Sequence, residues 1–151
     1  MLIFMAMKSM TSNKEIVRKE IERVWQNQDL SFADEYVAED YVLHDPTQPE
    51  PIRGRAGYKE YVRMMSEAFP DMEVTDYDMI AEDDTVAVRY NWRATHDGEL
   101  MGIEPTGIEL TGSGMVFVRF ADGKMQEAWT IDDGLGVLEQ LGVFEPPTAS
   151  A

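Results

Sequence analysis

A chain of 151 residues, with 44% hydrophobic and 28% charged residues, is long enough to bury the core of one domain and too apolar to stay disordered. It has no cysteine, which excludes disulfides, thiolate catalysis and cysteine-based zinc sites. Its formal net charge of −16 would be repelled by nucleic acid and by anionic membrane surfaces, so neither is expected as a partner.

The placement of the acidic residues predicts a solvated acidic surface. The 29 Asp and Glu residues are spread along the chain, and only five lysines accompany them. Such a surface is typical of a protein that works in high salt, because salt screens the repulsion between like charges, so we expect a halophilic source. The apolar leader Met1–Met7 is too short for a signal peptide or a membrane span, and a cytoplasmic location is expected.

The first half of the chain is predicted to contain three helices. Ser12 and Glu15 fit a capping box, and apolar residues at helical spacing follow them. Ser31 is expected to cap the second helix, and the third carries an apolar stripe that should be buried. The predicted helices cover about residues 12–28, 32–37 and 57–69.

From residue 72 onward, the alternation of apolar and polar side chains predicts strands. Tyr90, Trp92 and His96 fall on one face of the second strand, and Ala121–Lys124 should close a hairpin. Helices first and an antiparallel meander afterwards predict an α+β fold, in which a strongly curved, mainly antiparallel sheet packs against three N-terminal helices around a pocket. The predicted strands cover about residues 72–81, 85–96, 108–120 and 125–132, after an extended run at 41–46.

Residues 127–142 are predicted to join the last strand to a short amphipathic helix. Strand alternation puts Glu127, Trp129 and Asp133 on one face. An acid beside Trp129 would be partly desolvated, which raises its pKa and suits it to general acid–base work. Alternatively, Asp133 or Asp132 only caps the helix, since Asp is a preferred capping residue.

Several polar residues interrupt otherwise apolar strand faces and are candidates for a site. If these faces converge, they would bring a base, a cation and one or two acids into a pocket lined by aromatic and methionine side chains. Such a set can remove a proton next to a carbonyl and stabilise the enolate. The candidates are His44, Tyr90, Trp92, His96, Met115, Phe117, Arg119, Glu127 and Trp129, with Asp133 as the acid–base group.

Each candidate also has a structural interpretation. His44 and His96 could make only local hydrogen bonds, and Arg119 could pair with Glu127 across neighbouring strands. Two histidines far apart in sequence are a weak signal for a metal site. There is neither a phosphate-binding glycine motif nor a serine nucleophile elbow, so no cofactor is expected.

Several short segments follow one another in the order of a known family. They are Tyr41–His44, Ala68–Asp71, Asp84–Arg89, Thr95–Gly98, Gly102–Gly107, Asp122–Glu127, and Trp129–Asp133 through Gln140–Gly142. Together they resemble the SnoaL-like polyketide cyclase (ester cyclase) family of the nuclear transport factor 2-like superfamily. The resemblance covers about residues 12–143 as a single domain, with flexible tails expected at 1–11 and 144–151.

The resemblance implies a cone-shaped α+β barrel with a deep apolar pocket, often a homodimer through the sheet. It implies ring closure of a polyketide by intramolecular aldol condensation, without a metal or an organic cofactor. An aspartate near the end of the last strand is the acid–base group in such enzymes, and Trp129 with the helix that follows puts Asp133 at that position. By the same resemblance, His44, His96 and Arg119 lie near the pocket.

We therefore expect a cyclase or isomerase that acts on a small, apolar, carbonyl-containing molecule. Asp133 would take the proton, while His96 and Arg119 would bind or polarise the substrate oxygen. One alternative is a non-catalytic, ligand-binding dimer of the same fold. Another is an epoxide hydrolase-like enzyme that uses Asp133, Glu127 and Arg119 around a water.

Overall fold

The computed structural model describes residues 12–148, which form the predicted α+β fold; the leader Met1–Met7 lies outside this range. No helix within the described range is long and apolar enough to cross a membrane. The helical elements are α1 (Asn13–Glu20), a π-helical segment (Ile21–Gln26), α2 (Ser31–Tyr36), α3 (Gly54–Ala68) and α4 (Gly134–Gln140). The strands are β1 (Val37–His44), β2 (Ile52–Arg53), β3 (Glu73–Glu82), β4 (Thr85–Thr95), β5 (Glu109–Ala121) and β6 (Lys124–Asp132).

The six strands form one curved sheet in the order β2-β1-β6-β5-β4-β3. Only β1 and β6 run parallel, so the sheet is mainly antiparallel, as predicted. The sheet is open rather than closed into a barrel, with β2 and β3 as its two edges. The sequence predicted neither the two-residue β2 nor the parallel pairing, because that pairing joins residues 85 to 88 positions apart and leaves no local pattern.

One face of the sheet, named here the inner face, packs against α1, α2 and α3. On β4 the inner side chains include Val86, Val88 and Trp92, the face that alternation predicted. The side chains between the sheet and the helices are mostly apolar and form a continuous core. Its largest fully buried members include Ile16, Phe32, Tyr41, Tyr58 and Met125.

The first helix changes its geometry halfway along. Ser12 Oγ accepts a hydrogen bond from the Glu15 backbone N–H at 3.2 Å, as the capping motif predicts. After Glu20 the α-helix continues directly as the π-helical segment. Such wider turns are rare and occur often at functional sites. Glu20 is therefore a buried acid at the point where the helix widens.

A bulge in β6 puts the residues that follow it on the face of the sheet opposite to the predicted one. Arg119 of β5 pairs with Glu127, but the next residue, Phe120, pairs with Met125, so Gln126 has no partner on β5. An unpaired residue shifts the alternation by one position. After the bulge, Thr130 points to the inner face, while Trp129 points outward and is 42% exposed.

The last strand ends at Asp132, as predicted, and Asp133 follows it as the N-cap of α4, which is the alternative that the sequence left open. The alternation along the strand therefore does not extend to Asp133. The predicted hairpin before β6 is confirmed: Asp122 and Gly123 both have positive φ angles, 52° and 76°, as the tightest hairpin turns require.

Candidate active site

A cluster of polar side chains lies on the inner face where β1 and β6 end. Tyr90 donates a hydrogen bond to Asp132 Oδ1 at 2.9 Å, and the Thr130 hydroxyl is 3.4 Å from both the Tyr90 hydroxyl and Asp132 Oδ2. From α3, Tyr61 donates to Asp45 Oδ2 at 2.9 Å. These five residues, Asp45, Tyr61, Tyr90, Thr130 and Asp132, are named the inner cluster. It contains two carboxyl groups, each held by a tyrosine.

A glycine makes room for the central pair of this cluster. Tyr90, Gly114 and Asp132 lie opposite one another on three adjacent strands. A Cβ atom at Gly114 would overlap both the Asp132 carboxyl and the Tyr90 hydroxyl. Likewise, a Cβ at Gly112 would overlap the indole of Trp92. The absence of side chains at these two positions therefore lets groups from β4 and β6 meet over β5.

Asp132 is exposed as a residue, but its carboxyl group lies among protein atoms that perturb its pKa. Desolvation raises the pKa of Asp132, the nearby Asp45 charge adds to the rise, and hydrogen bonds such as the one from Tyr90 oppose it. Burial also raises the pKa of Tyr61 and of Tyr90, and the charge of Asp132 raises both further. The two phenols thus stay protonated and act as donors at neutral pH.

An open groove of about 290 Å³ borders the inner cluster. Its walls are the proline-containing loop after His44 and the segment 129–131 of β6, and it includes both Asp45 and Thr130. The volume is at the lower end for small-molecule sites. A second depression of about 220 Å³ lies between α3 and residues 28–30, away from the cluster. Asp45 and Thr130 are the members of the inner cluster that line the groove, next to His44 and Trp129 of the outer face, whereas Asp132, Tyr61 and Tyr90 line neither depression.

On the outer face, three of the predicted site residues bind one another. His44 Nε2 lies 2.8 Å from Glu127 Oε2, and Arg119 Nη2 donates to Glu127 Oε1 at 3.1 Å. The bonds from His44 and Arg119 lower the pKa of Glu127. The His44 ring also stacks on Trp129, with ring centroids 5.3 Å apart. The cross-strand pairing of Arg119 with Glu127, which the sequence left open, is therefore present.

The predicted aromatic and methionine wall is also on the outer face. Phe117 and Trp129 pair across β5 and β6, and Met115 pairs with Ile131 beside them. Met115 is 59% and Phe117 55% exposed. The expectation that these side chains converge with Tyr90 and Trp92 around one pocket is wrong. On β5, Val118 points inward, so Met115 and Phe117 point outward. On β6, the bulge turns Trp129 outward.

His96 lies apart from the inner cluster. It is fully buried and contacts the Phe69 ring, and its Nδ1 accepts a hydrogen bond from the Thr106 backbone N–H at 3.3 Å. The Thr106 hydroxyl is 2.9 Å from the same nitrogen. Nε2 is buried and has no partner within residues 12–148. The local bond that the sequence allowed is thus formed, and it closes the loop between β4 and β5.

Asp133 makes the contact of a helix cap. Its Oδ1 accepts a hydrogen bond from the Gly136 backbone N–H at 2.9 Å, and the side chain is exposed. Asp132, one residue earlier, is the carboxyl that reaches the inner face. The role of Asp133 as the acid–base group stays a prediction, and the alternative of capping describes its observed contact.

The two histidines do not share a site. His44 binds Glu127 on the outer face, and His96 binds Thr106 under a loop. In the described part of the chain, no three histidine or carboxylate side chains are grouped as a metal would need. The epoxide hydrolase-like set is also divided, since Asp133 caps α4 while Glu127 and Arg119 pair outside.

A buried carboxyl, that of Glu20, lies deeper in the fold. Tyr58 of α3 donates a hydrogen bond to Glu20 Oε1 at 2.7 Å, and both residues are buried. Burial raises the pKa of Glu20 to about 7, and the bond from Tyr58 limits the rise. The Tyr41 ring packs edge-on against Tyr58, with centroids 5.6 Å apart. This pair belongs to the core that the helices form with the sheet.

Sequence reasoning missed Asp45, Tyr61, Thr130 and Glu20 as candidates, and it considered Asp132 only as a helix cap. For Glu20 a signal was present: it lies four residues after Ile16 and four before Val24, which puts an acid within an apolar helical stripe. For Asp45 and Tyr61 no local signal exists, because only the packing of α3 against the end of β1 brings them together.

Comparison with known proteins identifies the family. The sequence model described as SnoaL-like polyketide cyclase matches residues 15–141. The chain belongs to the SnoaL-like polyketide cyclase family. No curated protein matches the sequence. The resemblance predicted from short segments is confirmed.

Solved structures of SnoaL-like relatives share the fold. A proposed polyketide cyclase from Acidithiobacillus ferrooxidans is 35% identical with a TM-score of 0.76, covering 89% of this chain and 97% of that one. IdmH from Streptomyces antibioticus, also a proposed polyketide cyclase, is 33% identical with a TM-score of 0.72, covering 86% and 98%. AclR from Streptomyces galilaeus, a proposed hydroxylase, is 30% identical with a TM-score of 0.75, covering 93% and 87%. Likeness to these structures therefore does not by itself select one reaction.

Proposed function

We propose that the inner cluster carries out acid–base chemistry at a carbon next to a carbonyl group, with Asp132 as the base. One observation carries this proposal: the Asp132 carboxyl lies on the inner face and accepts a hydrogen bond from Tyr90 in the space that Gly114 leaves free. A desolvated carboxyl with a raised pKa is a stronger base than a solvated one. The substrate class, an apolar polyketide-like ketone, follows the family and two of its solved relatives.

The hydroxyl donors beside the base suit the charge that such a reaction develops. When Asp132 takes the proton from carbon, the electron pair moves toward the carbonyl oxygen. Protonation of Asp132 removes the charge that its bond with Tyr90 stabilises, which frees the phenol to donate to the new oxyanion. Tyr61 is a second phenol of the same cluster. Neither phenol ionises near neutral pH, because burial raises the pKa of both.

The proposal is tested by hydrogen exchange in a simple bicyclic ketone, 1-tetralone, dissolved in D₂O and followed by NMR. The protein should accelerate loss of the α-protons. Asp132→Asn keeps the size of the side chain but removes the base, and should lower the rate about 10²–10⁴-fold. Asp133→Asn is the matched control and should change the rate less than about twofold, because Asn also caps a helix.

Two results would contradict the assignment of Asp132. If Asp133→Asn abolishes exchange and Asp132→Asn does not, the base is the residue that the family resemblance indicated. If both variants exchange at the rate of the parent protein, neither carboxyl is the base.

A non-catalytic, ligand-binding role is the second candidate function. It is supported by the hydrogen bonds within the cluster, since each carboxyl is already paired with a tyrosine. In that case 1-tetralone would bind, as judged by line broadening, without any acceleration of exchange.

A further inference from the structure

We propose that the groove at the end of β1 holds a second reactive centre, in which His44, oriented by Glu127, is the general base that activates water to hydrolyse small, neutral aryl esters. This activity is separate from the proposed chemistry of Asp132 and does not rest on it. It is supported by the position of His44 in the groove, by its bond to Glu127 and by its contact with Trp129.

The groove exists because two neighbouring strands end at different points. β1 pairs in parallel with β6 as far as His44, which lies opposite Trp129. β1 ends there, whereas β6 continues to Asp132, so the last residues of β6 have no neighbouring strand on that side. The proline-containing loop forms the other wall. His44 lines the resulting groove of about 290 Å³, and its side chain is 36% exposed, so a molecule in the groove can reach the imidazole ring.

Glu127 determines which ring nitrogen of His44 can act as the base. The Glu127 carboxylate is bonded to His44 at 2.8 Å and to Arg119 at 3.1 Å, and these bonds lower its pKa. Because an ionised carboxylate only accepts hydrogen bonds, its bond with His44 requires a hydrogen on Nε2. In the neutral ring the lone pair is then on Nδ1, which has no hydrogen-bond partner within residues 12–148.

The imidazole ring is held in place before any substrate binds. It stacks on Trp129, with ring centroids 5.3 Å apart and ring planes within 13° of parallel. Arg119 holds Glu127 from the neighbouring strand β5. A base fixed in this way loses little freedom in the reaction. The carboxylate also stabilises the imidazolium that forms when the ring takes a proton, as in carboxylate–histidine pairs of hydrolytic enzymes.

The lining of the groove favours a small, uncharged ester with an aromatic group. The three prolines of the loop, Ile131 and Trp129 supply apolar surface. Asp45 and Glu50 also line the groove and the chain carries a net charge of −16, so an anionic substrate would be repelled. The Gln48 side chain, another part of the lining, has amide N–H groups that can donate to a carbonyl oxygen.

The proposed reaction is balanced in atoms and electrons. His44 Nδ1 takes one proton from water, the water oxygen bonds to the acyl carbon, and the π pair of the carbonyl moves to oxygen. The C=O bond then forms again, and the bond between the acyl carbon and the aryloxide breaks. The imidazolium gives its proton to the aryloxide, which restores His44. The products are a carboxylic acid and a phenol, and water is the only co-reactant.

The test uses the full chain and 4-nitrophenyl acetate, a neutral ester whose phenol product is followed by its absorbance. The parent protein should hydrolyse the ester about 10²-fold faster than an equal concentration of free imidazole. The rate should fall in D₂O, because a proton of water moves in the step that His44 catalyses. His44→Gln should react no faster than buffer alone. Glu109→Gln, which neutralises an exposed acid of β5 outside the groove, is the control and should keep the parent rate.

Glu127→Gln tests the positioning role of the carboxylate. The variant keeps the size of the side chain but loses the charge that orients His44 and stabilises the imidazolium. It should lower kcat about 10–10²-fold and leave KM nearly unchanged, because Glu127 does not line the groove. A raised KM with the parent kcat would show that Glu127 only shapes the groove and would overturn its assigned role.

A chemical modification tests His44 without a variant, so that the result does not depend on how a variant folds. Diethyl pyrocarbonate should modify His44 alone, because His96 is fully buried, and should abolish hydrolysis. Hydroxylamine, which removes the added group, should restore it. Hydrolysis that survives the modification, a parent rate no higher than that of free imidazole, or an acetyl group left on His44 in the mass spectrum would each overturn the inference.

Discussion

Glu20 should make the stability of the folded protein fall as the pH rises. Its pKa is about 4.5 in the unfolded chain and about 7 in the folded protein, so the folded state holds the extra proton between these values. The stabilisation is complete below about pH 4.5 and is lost as the pH rises through 7. The shift corresponds to about 3 kcal/mol.

Glu20→Gln should remove this dependence. We expect the variant to gain about 3 kcal/mol relative to the parent protein between pH 4.5 and pH 8, measured by urea unfolding at each pH. Glu22→Gln, at an exposed acid of the π-helical segment, should follow the parent protein throughout. An unchanged difference between Glu20→Gln and the parent across this range would show that Glu20 titrates normally.

At the scale of single elements, the cap of α4 gives a prediction for Asp133. Asp133→Ala removes the acceptor of the Gly136 N–H and should cost about 1 kcal/mol of unfolding free energy, or roughly 2–4 °C in melting temperature. Asp133→Asn should melt with the parent protein, because Asn caps equally well. Equal melting of the Ala variant would mean that the cap contributes nothing.

Local patterns predicted most elements, because each depends on neighbours in sequence. Examples are the capping motif at Ser12, the apolar stripe of α3 and the hairpin turn at Asp122. Each is defined by the types and spacing of residues that are close in sequence. The bulge at Gln126 leaves no such signal, since neither a glycine nor a proline marks it. One unpaired residue therefore put Trp129 on the wrong face.

The candidate site was predictable only where its residues follow a local strand pattern. Tyr90 and Trp92 are on the predicted face, because β4 has no bulge against β5. The contact of Tyr61 with Asp45 depends on the docking of α3 at the end of β1, which sequence spacing does not encode. A buried acid such as Glu20 was visible as an interruption of an apolar stripe.

For the whole molecule, the outer face offers a surface for a second copy. Ile80, Phe117 and Trp129 lie in one row across the sheet, joined through Ala87, and each is more than 40% exposed. Exposed apolar patches of this kind mark interaction sites. The arginines beside the row are paired within the sheet, as in Arg119 with Glu127, so the face lacks the strong negative charge of the rest of the chain.

We propose that this face forms a homodimer, as the family resemblance implied. Light scattering after gel filtration in 1 M KCl should give the mass of two chains. Phe117→Glu should give the mass of one chain, because a charge would be buried in the contact. Met64→Glu, an exposed apolar position on α3, should leave the mass unchanged. A single-chain mass for the parent protein would contradict the proposal.

The charge of the whole molecule predicts its response to salt. With a net charge of −16, the folded chain is destabilised by repulsion between its acids, and salt shortens the range of that repulsion. Between dilute buffer and 2 M KCl, the unfolding free energy should rise by at least about 1 kcal/mol, or roughly 2–4 °C in melting temperature.

Neutralising three exposed, unpaired acids with Glu82→Gln, Glu99→Gln and Glu104→Gln changes the charge from −16 to −13 and should reduce the gain. Sucrose, an uncharged stabiliser, should act equally on both proteins, because its exclusion from the surface does not depend on charge. A melting temperature that falls as KCl rises would mean that the acidic surface is not an adaptation to salt.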